Sequence, residues 1–277
     1  MSIPSSEGRH QVEAFTQRVS QSVVFMFTQS PNGKISVGTG FLVQYRERKY
    51  FVSALHNFFY GDGGREQVIR CWEAARFKFR DVSQIGFVES LNFAVERLKP
   101  DLGVPLPHSF PNGLFIDVKH DLIAVRVDSL LGVFASAAFL NLEEESYTDE
   151  LNAETHLLTI GMPFDAQVEI PGVGRALVPT LDHVTFNPNV DKSRVSSRLC
   201  TQDYFLVPYS LGQDEIEPHG FSGAPIFSQS HSSPSIVWTP APRVVGVVME
   251  WLRKLDLIAA LRIGIVISLL ESDHDTV

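Results

Sequence analysis

The chain has 277 residues, of which 44% are hydrophobic and 20% charged, and its 23 basic and 32 acidic residues give a formal net charge of −9. This composition supports a buried core in one large or two small domains and excludes disorder along most of the chain. An acidic chain without a dense basic stripe is poorly suited to phosphate backbones, so we expect no nucleic-acid partner.

The N-terminal segment has apolar residues at helical spacing, at Val12, Phe15 and Val19. This spacing predicts a short helical extension within residues 1–21. The segment lacks the basic start and the apolar run of a signal peptide, and no later segment approaches the length of a membrane span. We therefore expect no membrane partner.

The chain contains two cysteines, Cys71 and Cys200. They do not form the dense pattern of a secreted disulfide framework, although one disulfide between them stays open. Together with the N-terminal segment, the cysteine content favours a reducing compartment. We expect a cytoplasmic protein.

From residue 22 onward, short apolar runs alternate with Gly, Pro, Asn and Asp. Runs of four to eight residues punctuated in this way predict strands, and the lack of long helical patterns between them argues against a doubly wound sheet. The sequence therefore predicts an all-β protein. The predicted strands are Val23–Thr28, Gly40–Tyr45, Tyr50–Leu55, Leu122–Val127, His156–Ile160, Tyr204–Val207, Pro225–Phe227, Val244–Met249 and Ile263–Ile267.

An acidic stretch, Asn141–Asn152, separates two β-rich halves and is the best candidate for a linker. A solvated surface loop is the alternative, and the two interpretations are compatible. The expected domain division is a helical extension at 1–21, a first β domain at 22–140, a linker at 141–154 and a second β domain at 155–277. The second domain is expected to end in a short acidic tail, Leu269–Val277.

The segment most informative about chemistry is Gly220–Pro225 (GFSGAP), which runs directly into an apolar strand. The glycines beside Ser222 allow a sharp turn and let backbone N–H groups face a substrate carbonyl. Because serine is a weak nucleophile without a base, a histidine and an acid are needed nearby. A histidine closes the strand segment Val52–His56 (VSALH), and an aspartate opens the segment Asp121–Val125 (DLIAV).

These segments, in this order, resemble the motifs of the trypsin-like serine peptidases of the chymotrypsin fold. VSALH is similar to the family's Val-Thr-Ala-Ala-His, DLIAV to Asp-Ile-Ala-Leu-Leu, and GFSGAP to Gly-Asp-Ser-Gly-Gly-Pro. Gly40–Val43 and Val245–Val248 are similar to the family's strand before the histidine hairpin and to its strand beside the substrate. The resemblance covers most of the chain.

The resemblance implies two packed six-stranded antiparallel β-barrels, preceded by the short N-terminal helix, with an active site between the barrels. It implies a serine endopeptidase that forms an acyl-enzyme. Ser222 would be the nucleophile, His56 the general base and Asp121 the residue that orients His56. The expected partner is a polypeptide substrate, and the expected cofactors and metals are none.

The resemblance also assigns the surroundings of the nucleophile. The N–H groups of Gly220 and Ser222 would form the oxyanion hole. The backbone around Met249, Glu250 and Trp251 would pair with an extended substrate. An acidic Glu250 in the pocket would favour a basic substrate side chain, whereas a Glu250 that points to solvent would not.

The sequence departs from the animal members of the family at several points. Phe221 stands where trypsins have the aspartate that binds the new N-terminus after zymogen cleavage, so we do not expect activation of that type. Asn57 follows the histidine where animal enzymes have a cysteine. Both features favour bacterial, cytoplasmic relatives, such as the protease domains of the HtrA peptidases. We expect this chain to resemble such a protease domain without the PDZ domain. The loops at Phe58–Arg65 and Leu98–Pro111 are hypothesised to shape substrate entry or to bind a regulator.

Some residues near the motifs have competing interpretations. Asp117 and Asp128 are rivals of Asp121, but they lie before and after the DLIAV segment. His120 is interpreted as a neighbour of the site, and His219 as a loop residue close to the nucleophile.

Two other functions are weighed. An α/β-hydrolase esterase would need an aspartate and then a histidine after the serine, on strands that alternate with helices, and the chain lacks that pattern. A pseudoprotease that keeps the fold as a binding module is the second alternative, although all three triad residues are present. A latent protease is a further possibility, in which the loop Glu217–Gly220 is displaced until a protein partner activates the enzyme.

Overall fold

The computed structural model describes residues 19, 21–29, 35–58, 76–79, 86–88, 93–95, 113–128, 137–146, 151–153, 155–161, 167–170, 174–177, 180–209, 218, 220–229 and 243–274. The N-terminal extension lies almost wholly outside these residues. So do Cys71, His219, the loop at Leu98–Pro111 and, apart from Phe58, the loop at Phe58–Arg65. No helix in the described part of the chain is long and apolar enough to cross a membrane.

The described residues up to position 141 contain nine strands. In chain order they are β1 (Val23–Gln29), β2 (Ile35–Tyr45), β3 (Arg48–Ala54), β4 (Arg76–Phe79), β5 (Gly86–Val88), β6 (Phe93–Val95), β7 (Leu114–Asp117), β8 (Leu122–Arg126) and β9 (Leu140–Asn141).

The structure describes eight further strands after position 155. They are β10 (His156–Gly161), β11 (Gln167–Ile170), β12 (Gly174–Leu177), β13 (Thr180–Thr185), β14 (Tyr204–Pro208), β15 (Pro225–Gln229), β16 (Arg243–Leu252) and β17 (Leu257–Arg262). The α-helices of the described residues are α1 (Leu142–Glu145) and α2 (Ile263–His274), and 3-10 turns lie at Leu55–Asn57, Ser197–Cys200 and Arg253–Leu255.

Two largely antiparallel sheets contain most of these strands. The first has the order β4-β1-β2-β3-β8-β7, and the short β9 joins β2 in parallel. The second has the order β13-β10-β15-β16-β17-β14. Two further strand pairs, β5–β6 and β11–β12, form small two-stranded antiparallel sheets of their own. The prediction of a protein built mostly of β-strands with few helices is confirmed.

Alternate residues of the strands face two different cores, which explains their unbroken apolar runs. In β3, Tyr50 and Val52 belong to a buried cluster that also contains Phe227 of the second sheet. Their neighbour Phe51 faces the other way, into a cluster with Ile123 inside the first sheet. The two sheets therefore share one core, and each sheet also packs on a core of its own. The core of the second sheet includes Leu157, Phe221 and Ile226.

The predicted strand at Ile263–Ile267 is wrong, because these residues form the first turns of α2. The β-branched residues of this run favour strands. In the folded chain, however, Ile263, Val266 and Leu270 are buried at helical spacing against the shared core. Burial of an apolar helical face outweighs the weaker intrinsic preference. The helix also includes much of the segment expected to be an acidic tail.

Helix α2 is tied to the first sheet through Asp273, which is buried. Its carboxylate accepts a hydrogen bond from the Tyr50 hydroxyl at 2.8 Å and pairs with Arg48 at 2.7 Å and Arg126 at 3.3 Å. Burial raises the pKa of the Asp273 carboxyl, but the hydrogen bonds from Arg48 and Tyr50 outweigh it, so the net pKa lies below the ordinary value. The end of the second half is thus anchored on the first.

Candidate active site

The histidine and the aspartate of the predicted triad lie at the ends of two paired strands. In β3 and β8, Ala54 lies opposite Leu122, so the turn after β3 meets the residue before β8. His56 Nδ1 lies 2.5 Å from Asp121 Oδ2, and the His56 backbone N–H donates to Asp121 Oδ1 at 2.9 Å. The carboxylate therefore fixes both the ring and the backbone of His56, and Nε2 is the ring nitrogen left for chemistry.

Asp121 adopts a backbone conformation that few residue types tolerate. Its φ of 57° lies in the left-handed region, which aspartate enters more readily than bulkier residues. Its carbonyl accepts the Leu55 N–H at 2.7 Å, and its own N–H donates to the Val118 carbonyl at 3.4 Å. Held at its amide, carbonyl and side chain, Asp121 has one available orientation toward His56.

Ser222 lies on the tight loop that leads into β15. Gly220 and Gly223 have φ values of 100° and 87°, which a residue with a side chain adopts only under strain. The Phe221 N–H donates to the Pro218 carbonyl at 3.0 Å and closes a turn within the loop. The two glycines of the motif are therefore required by the backbone path on both sides of Ser222.

Phe221 anchors this loop in the core of the second sheet, where it is almost fully buried. A Cβ added at Gly161 would lie 2.4 Å from the Phe221 ring, so the ring fills space that Gly161 leaves open. In the sequence, Phe221 is seen only as the residue that replaces an acid of the trypsin motif. The structure shows that it is an apolar anchor for the serine beside it.

The Ser222 hydroxyl donates to the Met249 carbonyl at 3.4 Å. Both His56 and Ser222 are described, and no hydrogen bond joins their side chains. Among the described residues, the backbone N–H groups of Gly220 and Ser222 have no hydrogen-bond partner either. The loop thus presents a loosely held hydroxyl and two N–H donors that no described residue pairs with.

One cavity of about 400 Å³ brings together all the site residues that the sequence predicts. Among the residues that line it are His56, Asp121, Gly220, Ser222, Met249, Glu250 and Trp251. They come from both sheets and from distant parts of the sequence.

The cavity wall contains an ion pair that the sequence analysis did not identify. Arg198 Nη2 lies 2.5 Å from Glu250 Oε2, and both side chains line the cavity. The remaining wall includes the apolar side chains of Leu199, Val248 and Ile258. A basic substrate side chain would therefore have to displace Arg198 to reach Glu250.

A second histidine cluster lies next to the first. His120 Nδ1 lies 2.5 Å from Asp117 Oδ2, and His120 Nε2 lies 3.2 Å from Asp203 Oδ2. Asp117, a rival for the triad, is thus occupied by His120, and the other rival, Asp128, accepts the Lys49 backbone N–H at 3.0 Å. His120 is a neighbour of the site, as predicted, but its contact with Asp203 had no sequence signal.

Tyr204 joins the His120 cluster to the cavity. It lines the cavity, and its hydroxyl donates to the His120 carbonyl at 3.4 Å. Burial raises the pKa of Tyr204 to about 12, so the phenol stays protonated at neutral pH. Tyr204 therefore serves as a neutral part of the wall.

A buried polar network, missed by the sequence analysis, joins the histidine turn to the serine loop. Asn57 Nδ2 donates to the Ser222 carbonyl at 2.8 Å and to Ser53 Oγ at 3.0 Å. The Thr39 hydroxyl donates to the Gly220 carbonyl at 2.7 Å, and the Thr39 N–H to the Ser222 carbonyl at 3.1 Å. The sequence showed that Asn57 replaces a cysteine, but not what it contacts.

No model of a known protein family matches the sequence, and no curated protein matches it. The chain is similar to the crystal structure of a serine endoprotease from Yersinia pestis, with a TM-score of 0.49 and 11% identity over 99% of this chain and 69% of that chain. It is also similar to a protease from M. tuberculosis in its active form, with a TM-score of 0.48 and 14% identity over 98% of this chain and 87% of that chain. Because both TM-scores lie below 0.5, the function proposed below rests on the geometry of the site.

Proposed function

We propose that the protein is a serine endopeptidase in which Ser222 is the nucleophile, His56 the general base and Asp121 the group that orients His56. The observation that supports this most is the contact of Asp121 with His56 Nδ1, in a cavity that His56 and Ser222 both line. Serine needs a base to attack a carbonyl, and an imidazole held through Nδ1 presents Nε2 as that base.

In the proposed reaction, Ser222 Oγ attacks the scissile carbonyl carbon while His56 Nε2 takes the hydroxyl proton. The C–N bond then breaks, His56 gives that proton to the leaving amine, and an acyl ester remains on Ser222. Water attacks the ester, gives a proton to His56 and releases the acid, and the proton returns to Ser222 Oγ. Asp121 keeps Nδ1 protonated and stabilises the imidazolium that forms twice in the cycle.

The unpaired N–H groups of Gly220 and Ser222 are the proposed oxyanion donors. Removing one such donor from an acyl-transfer site typically costs about 3 kcal/mol of transition-state stabilisation. The backbone of Met249, Glu250 and Trp251 on β16 is proposed to pair with an extended substrate as an added strand. These residues line the same cavity as the nucleophile.

The proposal includes a resting state that precedes the reactive one. Ser222 Oγ donates to the Met249 carbonyl at 3.4 Å, a long hydrogen bond that a side-chain rotation breaks at little cost. We infer that bound substrate or an activating protein partner completes the contact between Ser222 and His56. The pseudoprotease alternative keeps the same fold but never makes this contact.

The wider sequence predictions form part of the same proposal. They comprise the trypsin-like family, two six-stranded β-barrels, a bacterial and cytoplasmic setting, and domains at 22–140 and 155–277 joined by a linker at 141–154. The two large sheets, each with its own buried core, support a division into two β units.

A fluorophosphonate probe tests the proposed function, because it labels a serine that is activated by a base and an oxyanion hole. We expect the wild type to be labelled and the Ser222→Ala and His56→Ala variants to lose labelling by at least about 10⁴-fold. Ser268→Ala is the matched control, because Ser268 lies exposed on α2 and bonds only within its own helix.

The probe also separates the alternatives. Labelling that appears only after addition of a cell lysate, and that vanishes in Ser222→Ala, would support a latent protease with an activating partner. A folded wild type that stays unlabelled under both conditions would contradict the proposed function and favour the pseudoprotease.

A further inference from the structure

We propose that Asn57 is a positioning residue that holds the nucleophile loop in register with the general base. This inference rests on the proposed function and deepens it. Asn57 directly follows His56 on the 3-10 turn Leu55–Asn57, and its side chain is buried. The same turn thus presents His56 to the cavity and Asn57 to the back of the serine loop.

The chemistry of its partners fixes the orientation of the Asn57 amide. The Ser222 carbonyl is an acceptor only, so the side-chain atom that faces it at 2.8 Å must be the amide nitrogen. The second N–H of that nitrogen donates to Ser53 Oγ at 3.0 Å, and Ser53 Oγ donates onward to the Thr39 carbonyl at 2.7 Å. One donor of the amide therefore binds the serine loop, and the other is held by a fixed frame within the first sheet.

The peptide group that follows Ser222 is held at both of its polar ends. Its carbonyl accepts from Asn57 Nδ2 and from the Thr39 N–H at 3.1 Å, and its N–H, that of Gly223, donates to the Val248 carbonyl at 2.7 Å. First-sheet donors hold one end and a second-sheet acceptor holds the other. This peptide group therefore has no freedom to rotate.

The peptide group that precedes Phe221 is held in the same way. Its carbonyl, that of Gly220, accepts the Thr39 hydroxyl at 2.7 Å, and its N–H donates to the Pro218 carbonyl at 3.0 Å. Between these two fixed groups lies the peptide of Phe221 and Ser222, whose carbonyl accepts the Ala224 N–H at 2.7 Å.

Of the six polar groups on these three successive peptides, the Ser222 N–H alone has no partner among the described residues. That N–H is one of the two proposed oxyanion donors. Because its two neighbouring peptides are fixed, its direction is fixed as well. Asn57 and Thr39 thus fix the direction of the Ser222 N–H, because they bind the carbonyls on the far side of the loop.

The loop lies directly against this network without spare room. A Cβ on Gly223 would lie 2.1 Å from the Thr39 carbonyl and 2.4 Å from Ser53 Oγ, and a Cβ on Gly38 would lie 2.6 Å from Asn57 Cγ. Glycine at both positions lets the two chains approach closely. A small change at Asn57 is therefore passed on to Ser222 instead of being absorbed by a gap.

The test compares Asn57→Asp with the wild type, with Ser222→Ala, and with Asn187→Asp as the matched control. Asn187 is exposed, and its Oδ1 caps the Asn189 N–H at 2.9 Å, which an aspartate also does. The rate of fluorophosphonate labelling at saturation and the probe concentration at half saturation are measured from pH 5 to pH 8, beside the melting temperature.

In Asn57→Asp, an ionised carboxylate faces the Ser222 carbonyl and offers it no donor. We expect the saturating labelling rate of folded protein to fall about 100-fold, the effect of a small misplacement of reacting groups, with the half-saturating concentration unchanged. As the pH falls, the buried carboxyl becomes protonated and regains one O–H donor, so the ratio of the variant rate to the wild-type rate rises. Asn187→Asp should match the wild type.

Asn57→Leu is the second variant and removes the donors without adding a charge. It should show the same loss at every pH, with no recovery at low pH, which keeps the test decisive if Asn57→Asp does not fold. If the wild type is labelled and the folded Asn57 variants label at the same rate, the role of Asn57 is overturned and the proposed function stands. A wild type that is as silent as Ser222→Ala would overturn the proposed function, and this inference with it.

Discussion

His56 and His120 are two histidines with the same first contact and opposite surroundings. Each has Nδ1 at 2.5 Å from a carboxylate oxygen, of Asp121 and Asp117 respectively. The His56 side chain is 44% exposed and lines the cavity, whereas that of His120 is 10% exposed. The decisive difference lies at Nε2, which in His120 faces a second carboxylate, that of Asp203, at 3.2 Å.

This difference separates the proposed catalytic arrangement of His56 from a structural arrangement of His120. An imidazole with a carboxylate on both nitrogens has no free site to accept a proton from a nucleophile, so His120 acts as a cross-link between the turn before β8 and the residue before β14. An imidazole with one carboxylate keeps its second nitrogen for proton transfer. A histidine–aspartate contact alone therefore does not identify a catalytic base.

The largest expected effect that tests this comparison is that of Asp121→Asn. An asparagine amide can donate to Nδ1 and stabilise the wrong tautomer, with the proton on Nε2. We expect the rate of fluorophosphonate labelling, and of peptide hydrolysis, to fall by about 10⁴-fold with little change in fold.

Asp117→Asn is the matched change in the buried pair. It should lower the melting temperature but leave the labelling rate per folded molecule within about twofold of the wild type, because His120 is given no role in proton transfer. Equal losses of labelling in Asp117→Asn and Asp121→Asn would contradict the division between the two histidines.

The three residues of the proposed triad could be located in the sequence because each lies in a local pattern, at a strand end or between glycines. The register of β3 with β8 then converts two local patterns into one contact. The strands were predictable for the same reason, since their residues are buried on both faces and form unbroken apolar runs.

The remaining features depend on contacts between distant parts of the chain. The run Ile263–Ile267 looks like a strand locally, and only its packing on the shared core makes it a helix. Asn57 and the Ser222 carbonyl are separated by 165 positions, and His120 and Asp203 by 83. No local sequence pattern predicts a partner so far away in the sequence, because polar side chains of this kind occur throughout the surface of any protein.

The exposed ion pair of the cavity wall is a third carboxylate contact to compare with those of His56 and His120. Arg198 occupies the Glu250 carboxylate at 2.5 Å in solvent-exposed surroundings, where such pairs are weak. Arg198→Ala would free the carboxylate for a basic substrate side chain. Hydrolysis of peptides with Lys or Arg beside the scissile bond, relative to Leu, should rise about two- to fivefold, as peptide profiling would measure.

Arg194→Ala is the control for this change, because Arg194 is an exposed arginine of the same connection that does not line the cavity. It should leave the Lys-to-Leu ratio unchanged. If Arg198→Ala also leaves the ratio unchanged, Glu250 does not contact the substrate side chain.

The smallest expected effect concerns Asp203, which should act on stability and not on catalysis. The hydrogen bond from His120 holds the pKa of the Asp203 carboxyl below its ordinary value of 3.8, and the hydrogen bond from Lys119 lowers that pKa further. A carboxyl with a lowered folded-state pKa stabilises the fold above its unfolded-state pKa, and that contribution is lost as the pH falls through the folded-state value. Asp203→Asn should therefore lower the free energy of unfolding by about 1 kcal/mol at pH 5, with the difference shrinking as the pH falls below about 4.

Denaturant unfolding at pH 5 and pH 3 measures both values, and the labelling rate per folded molecule should stay that of the wild type. A loss of labelling without a loss of stability would place the buried histidine cluster in the catalytic machinery and reverse the comparison.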